Sequence, residues 1–235
     1  MDFRLWPLDY LLIVAAAGTG NRLGRKEPKA IVPLAGRPLI CWTLETFSAI
    51  PFARAVVAAP PGCESELDAV VAGRAQVVAG GETRAASVRL AFDALHPNPS
   101  DLVCVHDAAR PLVTAAEARS VLEAAERAGA AIAATPLVDT VKQVEDGRIV
   151  STLDRRRLFA AGTPQVFRAE LLARALVSGR EATDEAALLE ALGVPVAVVS
   201  VSRLGFKITT PEDLEMAAAL LRSRKRRAGI RNVSE

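Results

Sequence analysis

With 235 residues, 51% hydrophobic and 24% charged, the chain suits one large α/β domain, or a domain with a small appendage, and is apolar enough to bury a core. Its net charge of +2 is concentrated at the end: residues 222–235 carry six basic residues and one acidic, leaving a body of net −3 that is unsuited to binding nucleic acid. No apolar run approaches a membrane span, and Met1–Leu12, with one basic and two acidic residues, lacks the start of a secretory leader, so the expected compartment is the cytoplasm, without membrane contact.

Leu11-Leu12-Ile13-Val14 is a continuous apolar run, the pattern of a parallel strand buried on both faces. It breaks into Ala15-Ala16-Ala17-Gly18-Thr19-Gly20-Asn21-Arg22-Leu23-Gly24, with Pro28-Lys29 close behind. Small residues and glycines leave the backbone open to something large, and successive N–H groups of such a loop can bind phosphate oxygens. Arg22 and Lys29 add positive charge beside it, so the stretch reads as a nucleotide triphosphate loop; an ordinary βα turn with two solvated cations is the alternative. The spacing Gly18-x-Gly20-x-x-x-Gly24 differs from the dinucleotide fingerprint, and Pro28 keeps Glu27 out of helical geometry where that motif needs a helix. The Gly-Lys-Ser/Thr ending of a P-loop is missing from the chain.

Residues 38–50 have helical apolar spacing, with Trp42 and Phe47 as core residues. Strands are expected at Arg54–Ala59, Ala75–Ala79, Leu102–Val105 and Ala130–Thr135, and helices at Glu64–Val71, after Thr83 through Leu95, and from Thr114, whose Glu117 completes a capping box. This alternation predicts a Rossmann-like, mostly parallel sheet flanked by helices, with ligands outside the carboxyl ends of the strands. There the first loop, Gly80–Ser87 and Asp107–Pro111 converge.

Between 136 and 154 the period changes to two, around the turn Glu145-Asp146-Gly147-Arg148, which predicts an inserted β-hairpin. A lone hairpin is unstable in water, so it needs a packing partner such as a second subunit. Beyond it come a helix at Ala169–Val177, another from Thr183-Asp184-Glu185 through Leu192, strands at Val194–Val201 and Phe206–Ile208, and a strong helix start at Thr210-Pro211-Glu212-Asp213. The whole is read as a single domain, 1–235, with a β-arm at about 136–154 and a basic tail at 222–235.

Cys41, Cys63 and Cys104 are too scattered for a disulfide framework or a zinc site, and His96 and His106 have no partner at ligand spacing, so no metal-ligating residue is assigned. Glu82 and Ser87 either hydrogen-bond a ribose or base, or cap a helix near Thr83. Asp107, ending an apolar strand, needs a partner: a hydroxyl-bearing substrate, a magnesium-bound phosphate, or Arg110. Arg155 and Lys207 either bind a second phosphate or are surface charges, and Thr140, Thr163 and Thr183 read as caps or strand residues.

In order, the motifs Ala-Ala-Ala-Gly-x-Gly-x-Arg-x-Gly, Pro-Lys, Gly-Gly-x-x-Arg-x-x-Ser-Val, His-Asp-Ala-Ala-Arg-Pro, Asp-Thr-Val-Lys, Thr-Pro-Gln-x-Phe, Thr-Asp-Glu and Lys-Ile-Thr-x-Pro-Glu-Asp-Leu resemble the 2-C-methyl-D-erythritol 4-phosphate cytidylyltransferase family, from Leu12 to about Leu221. The resemblance implies an enzyme of the non-mevalonate isoprenoid pathway that joins CTP to methylerythritol phosphate and releases pyrophosphate, with magnesium held largely by the CTP phosphates. It implies that Arg22 and Lys29 stabilise the transition state and that Arg155 and Lys207 position the sugar-alcohol phosphate. Ala16, Ala17, Gly18, Thr19, Gly20, Gly81, Glu82 and Ser87 match CTP contacts, Glu82 standing where an Asp is also found. Asp107, Arg110, Thr140, Thr163 and Thr183 match contacts to methylerythritol phosphate. It further implies a homodimer whose hairpin arms reach the neighbouring site. A cytidylyltransferase for another polyol phosphate, such as ribitol 5-phosphate, would share the loop. So would a catalytically inactive nucleotide-binding regulator, against which Arg22, Lys29 and Lys207 argue.

Overall fold

The computed structural model describes residues 9–18, 20, 23, 27–177 and 182–231. The chain opens with β1 (Tyr10–Ala15), followed by the short antiparallel pair β2 (Pro33–Leu34) and β3 (Arg37–Pro38). Then α1 (Leu39–Ser48), β4 (Arg54–Ala59), α2 (Glu64–Val71), β5 (Gln76–Ala79), α3 (Arg84–Leu95) and β6 (Leu102–Asp107) alternate. After α4 (Ala115–Ala128) and β7 (Ala130–Pro136) come the hairpin strands β8 (Val141–Glu145) and β9 (Arg148–Leu153). The chain closes with β10 (Phe159–Arg168), α5 (Ala169–Leu176), α6 (Glu185–Glu190), β11 (Ala197–Ser200) and α7 (Pro211–Arg231).

Seven strands form one sheet in the order β11-β7-β10-β6-β1-β4-β5. All neighbours are parallel except β10, which runs antiparallel to both β6 and β7. In the interior strand β1, Leu11–Val14 are all buried, as a strand covered on both faces requires. Alternate residues feed opposite layers. Leu12, Val14, Val57 and Cys104 pack with Leu44, Phe47, Leu67 and Val121 of α1, α2 and α4. Leu11, Ile13, Val56 and Val103 pack with Val88, Leu172 and Leu188 of α3, α5 and α6. A smaller core under α7 gathers Leu34, Leu39, Trp42, Leu112, Ile208 and Leu221.

Local signals set the helix ends. Thr114 and Glu117 form the reciprocal capping box of α4, and Gly129 closes that helix at φ 82°. Pro211 opens α7, where the Asp213 carboxylate accepts from the N–H groups of Thr209 (2.7 Å) and Thr210 (2.9 Å) and from the Thr209 hydroxyl. Among the described helices none is long and apolar enough to cross a membrane.

Two expectations change. Phe206–Ile208 is not a strand: it is an extended segment after a single 3-10 turn at Arg203–Gly205, tied down by the Ile208 N–H bonding to the Ala109 carbonyl (2.8 Å). Thr163–Phe167, which carried no assigned element, is the inner half of β10, and the strand expected at Val194–Val201 is confined to Ala197–Ser200. The hairpin lies within its expected bounds as a separate two-stranded sheet, turning at Asp146 (φ 48°) and Gly147 (φ 74°). Its Val144, Ile149 and Val150 are 55%, 65% and 54% exposed, an apolar surface left uncovered among the described residues.

Candidate active site

A cavity of about 590 Å³ opens at the carboxyl ends of β1, β5 and β6, where a sheet of this kind takes ligands. Its walls come from the loops after these three strands and from the segment that carries Lys207 and Thr209. After β1, Ala16, Ala17, Gly18 and Gly20 present backbone, and the Lys29 N–H closes the loop onto the Gly18 carbonyl (3.2 Å). Gly20 sits at φ 73°, a conformation natural to glycine. Lys29 itself lines the cavity; Thr19 and Arg22 lie outside the described residues.

After β5 the chain bends through Gly80 and Gly81 into α3, and both glycines are sterically required. A Cβ on Gly80 would meet the Ala59 carbonyl at 2.8 Å and Ala17 Cβ at 2.9 Å; one on Gly81 would meet Ala86 Cβ at 2.5 Å. The buried Ser87 hydroxyl accepts from the Gly81 N–H (3.1 Å) and donates to the Thr83 carbonyl (2.9 Å), while Thr83 caps α3 by accepting from Ala86 N–H. Ser87 therefore shapes the bend that borders the cavity, and the exposed Glu82 lines the same rim.

Asp107 ends β6 at the floor, its side chain only 8% exposed. Arg84 Nε donates to Oδ1 (3.1 Å), Lys207 Nζ contacts Oδ2 (2.9 Å), and Arg110 Nε stands 3.7 Å from Oδ2. Burial alone would raise the carboxyl's pKa; Arg84, Lys207 and Arg110 outweigh it and hold the group below the usual carboxylate range. The carboxylate is thus an anchor for cations rather than a proton acceptor. Arg84 in turn bonds through Nη1 to both oxygens of Glu185 (2.6 and 2.8 Å). Burial would lower Arg84's pKa, but Glu185 and Asp107 prevail and keep it charged.

Lys207 also lines a second cavity of about 340 Å³ that reaches from Arg110 and Thr163 to Asp139 at the base of the hairpin. Arg110 Nη1 donates to the Gly205 carbonyl (3.2 Å). Thr163 is buried, its hydroxyl oxygen accepting from the Asp107 N–H (3.1 Å) and lying 3.1 Å from His106 Nδ1. Arg155 is exposed on a 3-10 turn after β9 and donates to the Val138 carbonyl. Thr140 is exposed before β8, and Thr183 is exposed two residues before Glu185; within one chain these three line neither cavity.

Arg84 and Glu185 join the floor of the site, though neither stands out as a site residue in the sequence. Each carries a signal: Arg84 is the cation of the Gly-Gly-x-x-Arg motif, and Glu185 puts a charge on the face of α6 that buries Ala186, Leu188 and Leu189. Their meeting across 101 positions has no local signature. No group of three acidic, histidine or cysteine side chains among the described residues could hold a metal, and Asp107 is already saturated with cations, so these residues do not fit a magnesium ion held by the protein.

A backbone-lined cavity at a strand end, bordered by cations and joined through one lysine to a smaller cationic cavity, suits an α/β nucleotidyltransferase. The sequence model of 2-C-methyl-D-erythritol 4-phosphate cytidylyltransferase (IspD) matches residues 10–223. The chain is 40% identical over 228 residues to the 2-C-methyl-D-erythritol 4-phosphate cytidylyltransferase of Desulforamulus reducens, covering 92% of this chain and 97% of that protein. It is 41% identical over 235 residues to the enzyme of that name from Acidobacterium capsulatum, at 92% and 98% coverage. The crystal structure of the Thermus thermophilus enzyme superposes with a TM-score of 0.76 at 39% identity, covering 89% of this chain and 98% of that one. The chain belongs to the IspD family of CTP-dependent cytidylyltransferases.

Proposed function

We propose that the protein transfers the cytidylyl group of CTP to 2-C-methyl-D-erythritol 4-phosphate, giving 4-diphosphocytidyl-2-C-methyl-D-erythritol and pyrophosphate in isoprenoid biosynthesis. The observation that carries the site assignment is Lys207, whose ammonium lies in the wall shared by the two cavities. CTP, entering with magnesium on its phosphates, occupies the larger cavity with its triphosphate along residues 16–20; the polyol phosphate occupies the smaller one.

The acceptor needs no protein base. Its second phosphate pKa is near 6, so at pH 7 it is mostly a dianion and already nucleophilic. One of its oxygens attacks the α-phosphorus in line, the bond to the β-phosphate bridging oxygen breaks, and pyrophosphate leaves with that electron pair. What must be overcome is repulsion between two anions and charge build-up at the α-phosphorus. Lys29 and Arg22 stabilise that charge, and Lys207 holds the attacking phosphate beside it. The exposed apolar hairpin supports a homodimer in which Arg155 and Thr140 act across the subunit boundary. The substrates are small and water-soluble and the body is acidic, in keeping with a cytoplasmic enzyme that engages neither membrane nor nucleic acid.

The test is pyrophosphate release from CTP and magnesium with methylerythritol phosphate or ribitol 5-phosphate as acceptor. Turnover with the first and at least a hundredfold less with the second is expected; the reverse preference would move the protein to the other substrate, and release with neither would remove the activity.

A further inference from the structure

Glu185 is 1% exposed, and a carboxylate so deeply buried requires a compensating cation and filled lone pairs. Arg84 supplies both, with Nη1 2.6 and 2.8 Å from the two oxygens. The other end of the same guanidinium, Nε, meets Asp107 Oδ1 at 3.1 Å, and Asp107 Oδ2 meets Lys207 Nζ at 2.9 Å. The four groups form a chain of alternating sign that runs from α6 across the floor of the nucleotide cavity to the lysine between the cavities. Resting on the function proposed above, we propose that Glu185 is a positioning residue for the polyol phosphate: by engaging one edge of Arg84 it leaves Asp107 Oδ2 to hold the Lys207 ammonium where the acceptor phosphate must sit.

Arg84, Arg110 and Lys207 compete for a single carboxylate. A guanidinium that approaches a carboxylate with two N–H groups binds it better than a lysine ammonium does, through geometry as well as charge. Arg84 meets Asp107 through Nε alone, at Oδ1, because Glu185 draws the far end of the guanidinium toward α6 through Nη1 and so sets the angle at which it meets Asp107. Arg110 does not do it either: its Nε is buried, 3.7 Å from Oδ2 and without a hydrogen bond. Remove the charge of Glu185 and Arg84 is released to claim both Asp107 oxygens, displacing Lys207. The α6 backbone that carries Glu185 is held independently, since Gln165 of β10 donates to Asp184 (2.8 Å) and accepts from the Ala186 N–H (3.2 Å), so Glu185 is not needed to seat the helix.

Glu185→Gln keeps the shape and loses the charge; Glu185→Asp keeps the charge and loses a methylene. At saturating CTP, the Gln variant is expected to raise KM for methylerythritol phosphate about tenfold, with kcat and calorimetric CTP affinity within about threefold of wild type. The Asp variant is expected to stay within about threefold in all three. A residue that only fills space gives the opposite order, because Gln fits and Asp leaves a gap. That order, an unchanged KM in the Gln variant, or CTP affinity falling in step with KM overturns the proposal. Should the Gln variant not melt cooperatively, a tenfold KM rise in the Asp variant decides against it. A substrate-free arm reads Lys207 directly: peptide-resolved acetylation by acetic anhydride is expected to rise at least threefold at Lys207 in the Gln variant, and an unchanged rate refutes the chain of contacts even if the acceptor proves to be another polyol phosphate.

Discussion

Burial of His106 makes the floor of the site sensitive to acid in a way that can be calculated. The imidazole is fully buried behind Asp107. Asp107 N–H donates to Thr163 Oγ1, so the Thr163 hydroxyl proton is available to His106 Nδ1 (3.1 Å), and Nε2 carries the ring proton that reaches the Arg110 carbonyl (3.3 Å). That arrangement needs the neutral ring. Burial pushes the pKa down to about 4, with Arg110 and Arg84 also opposing a charge and Asp107 only partly favouring it. The unfolded chain has the ordinary value near 6.5. Between those values the unfolded state binds a proton that the folded state refuses, so stability rises with pH; the contribution is complete above about 6.5 and lost as pH falls toward 4. The full shift corresponds to about 3 kcal/mol, of which about 2 kcal/mol is lost by pH 5. Asp107 titrates with its depressed carboxyl below this window and does not confound it. Urea unfolding at pH 7.5 and pH 5.0 is expected to show the wild type losing about 2 kcal/mol more than His106→Gln. The chain has two histidines, so NMR can follow the ring itself. Equal losses in the two proteins, or a His106 ring that titrates near 6.5 in the folded state, would disprove the buried neutral tautomer.

Further outcomes are expected from substitutions elsewhere. Lys29→Ala should lower kcat by about a hundredfold with a smaller change in KM for CTP, as for the loss of one preorganised donor at a developing charge, checked by steady-state pyrophosphate release. Gly80→Ala should cost about 1–3 kcal/mol, because its Cβ is driven against the Ala59 carbonyl and Ala17, and should weaken CTP binding by shifting the bend. Gly18→Ala has open space for its Cβ, so its melting temperature should hold while CTP affinity falls, and calorimetry with thermal melts separates the two variants. Arg155→Ala should raise KM for the polyol phosphate while leaving CTP affinity alone, and mixing it with a Lys29→Ala protein should restore activity if Arg155 serves the partner's site.

How far the sequence could be read follows from how local each signal is. The strands β1, β4, β5 and β6 announce themselves as short apolar runs ended by glycine, proline or polar residues, and the glycine-rich loops after β1 and β5 border the cavity because they follow those strand ends closely. The hairpin is legible from its period of two and the Asp146-Gly147 turn. By contrast, β10 carries Gly162, Thr163, Pro164 and Gln165 in its middle, a composition that reads as a turn; it becomes a strand because β6 and β7 present edges on either side. Phe206-Lys207-Ile208 fails as a strand for the converse reason: its apolar alternation places Ile208 in the core beneath α7, and a single backbone bond to Ala109 suffices to hold it. Asp107 is legible as a carboxylate needing a partner, but its partners come from positions 84, 110 and 207, and only the partner three residues away is visible in the sequence.

The most direct measurement is a crystal structure of the protein with CTP and magnesium. The cytidine nucleotide is expected in the 590 Å³ cavity, its triphosphate along residues 16–20 and its α-phosphate within contact of Lys29, with Lys207 facing the open second cavity. A nucleotide seated elsewhere, or in that cavity with its α-phosphate beyond the reach of Lys29, would contradict the assignment.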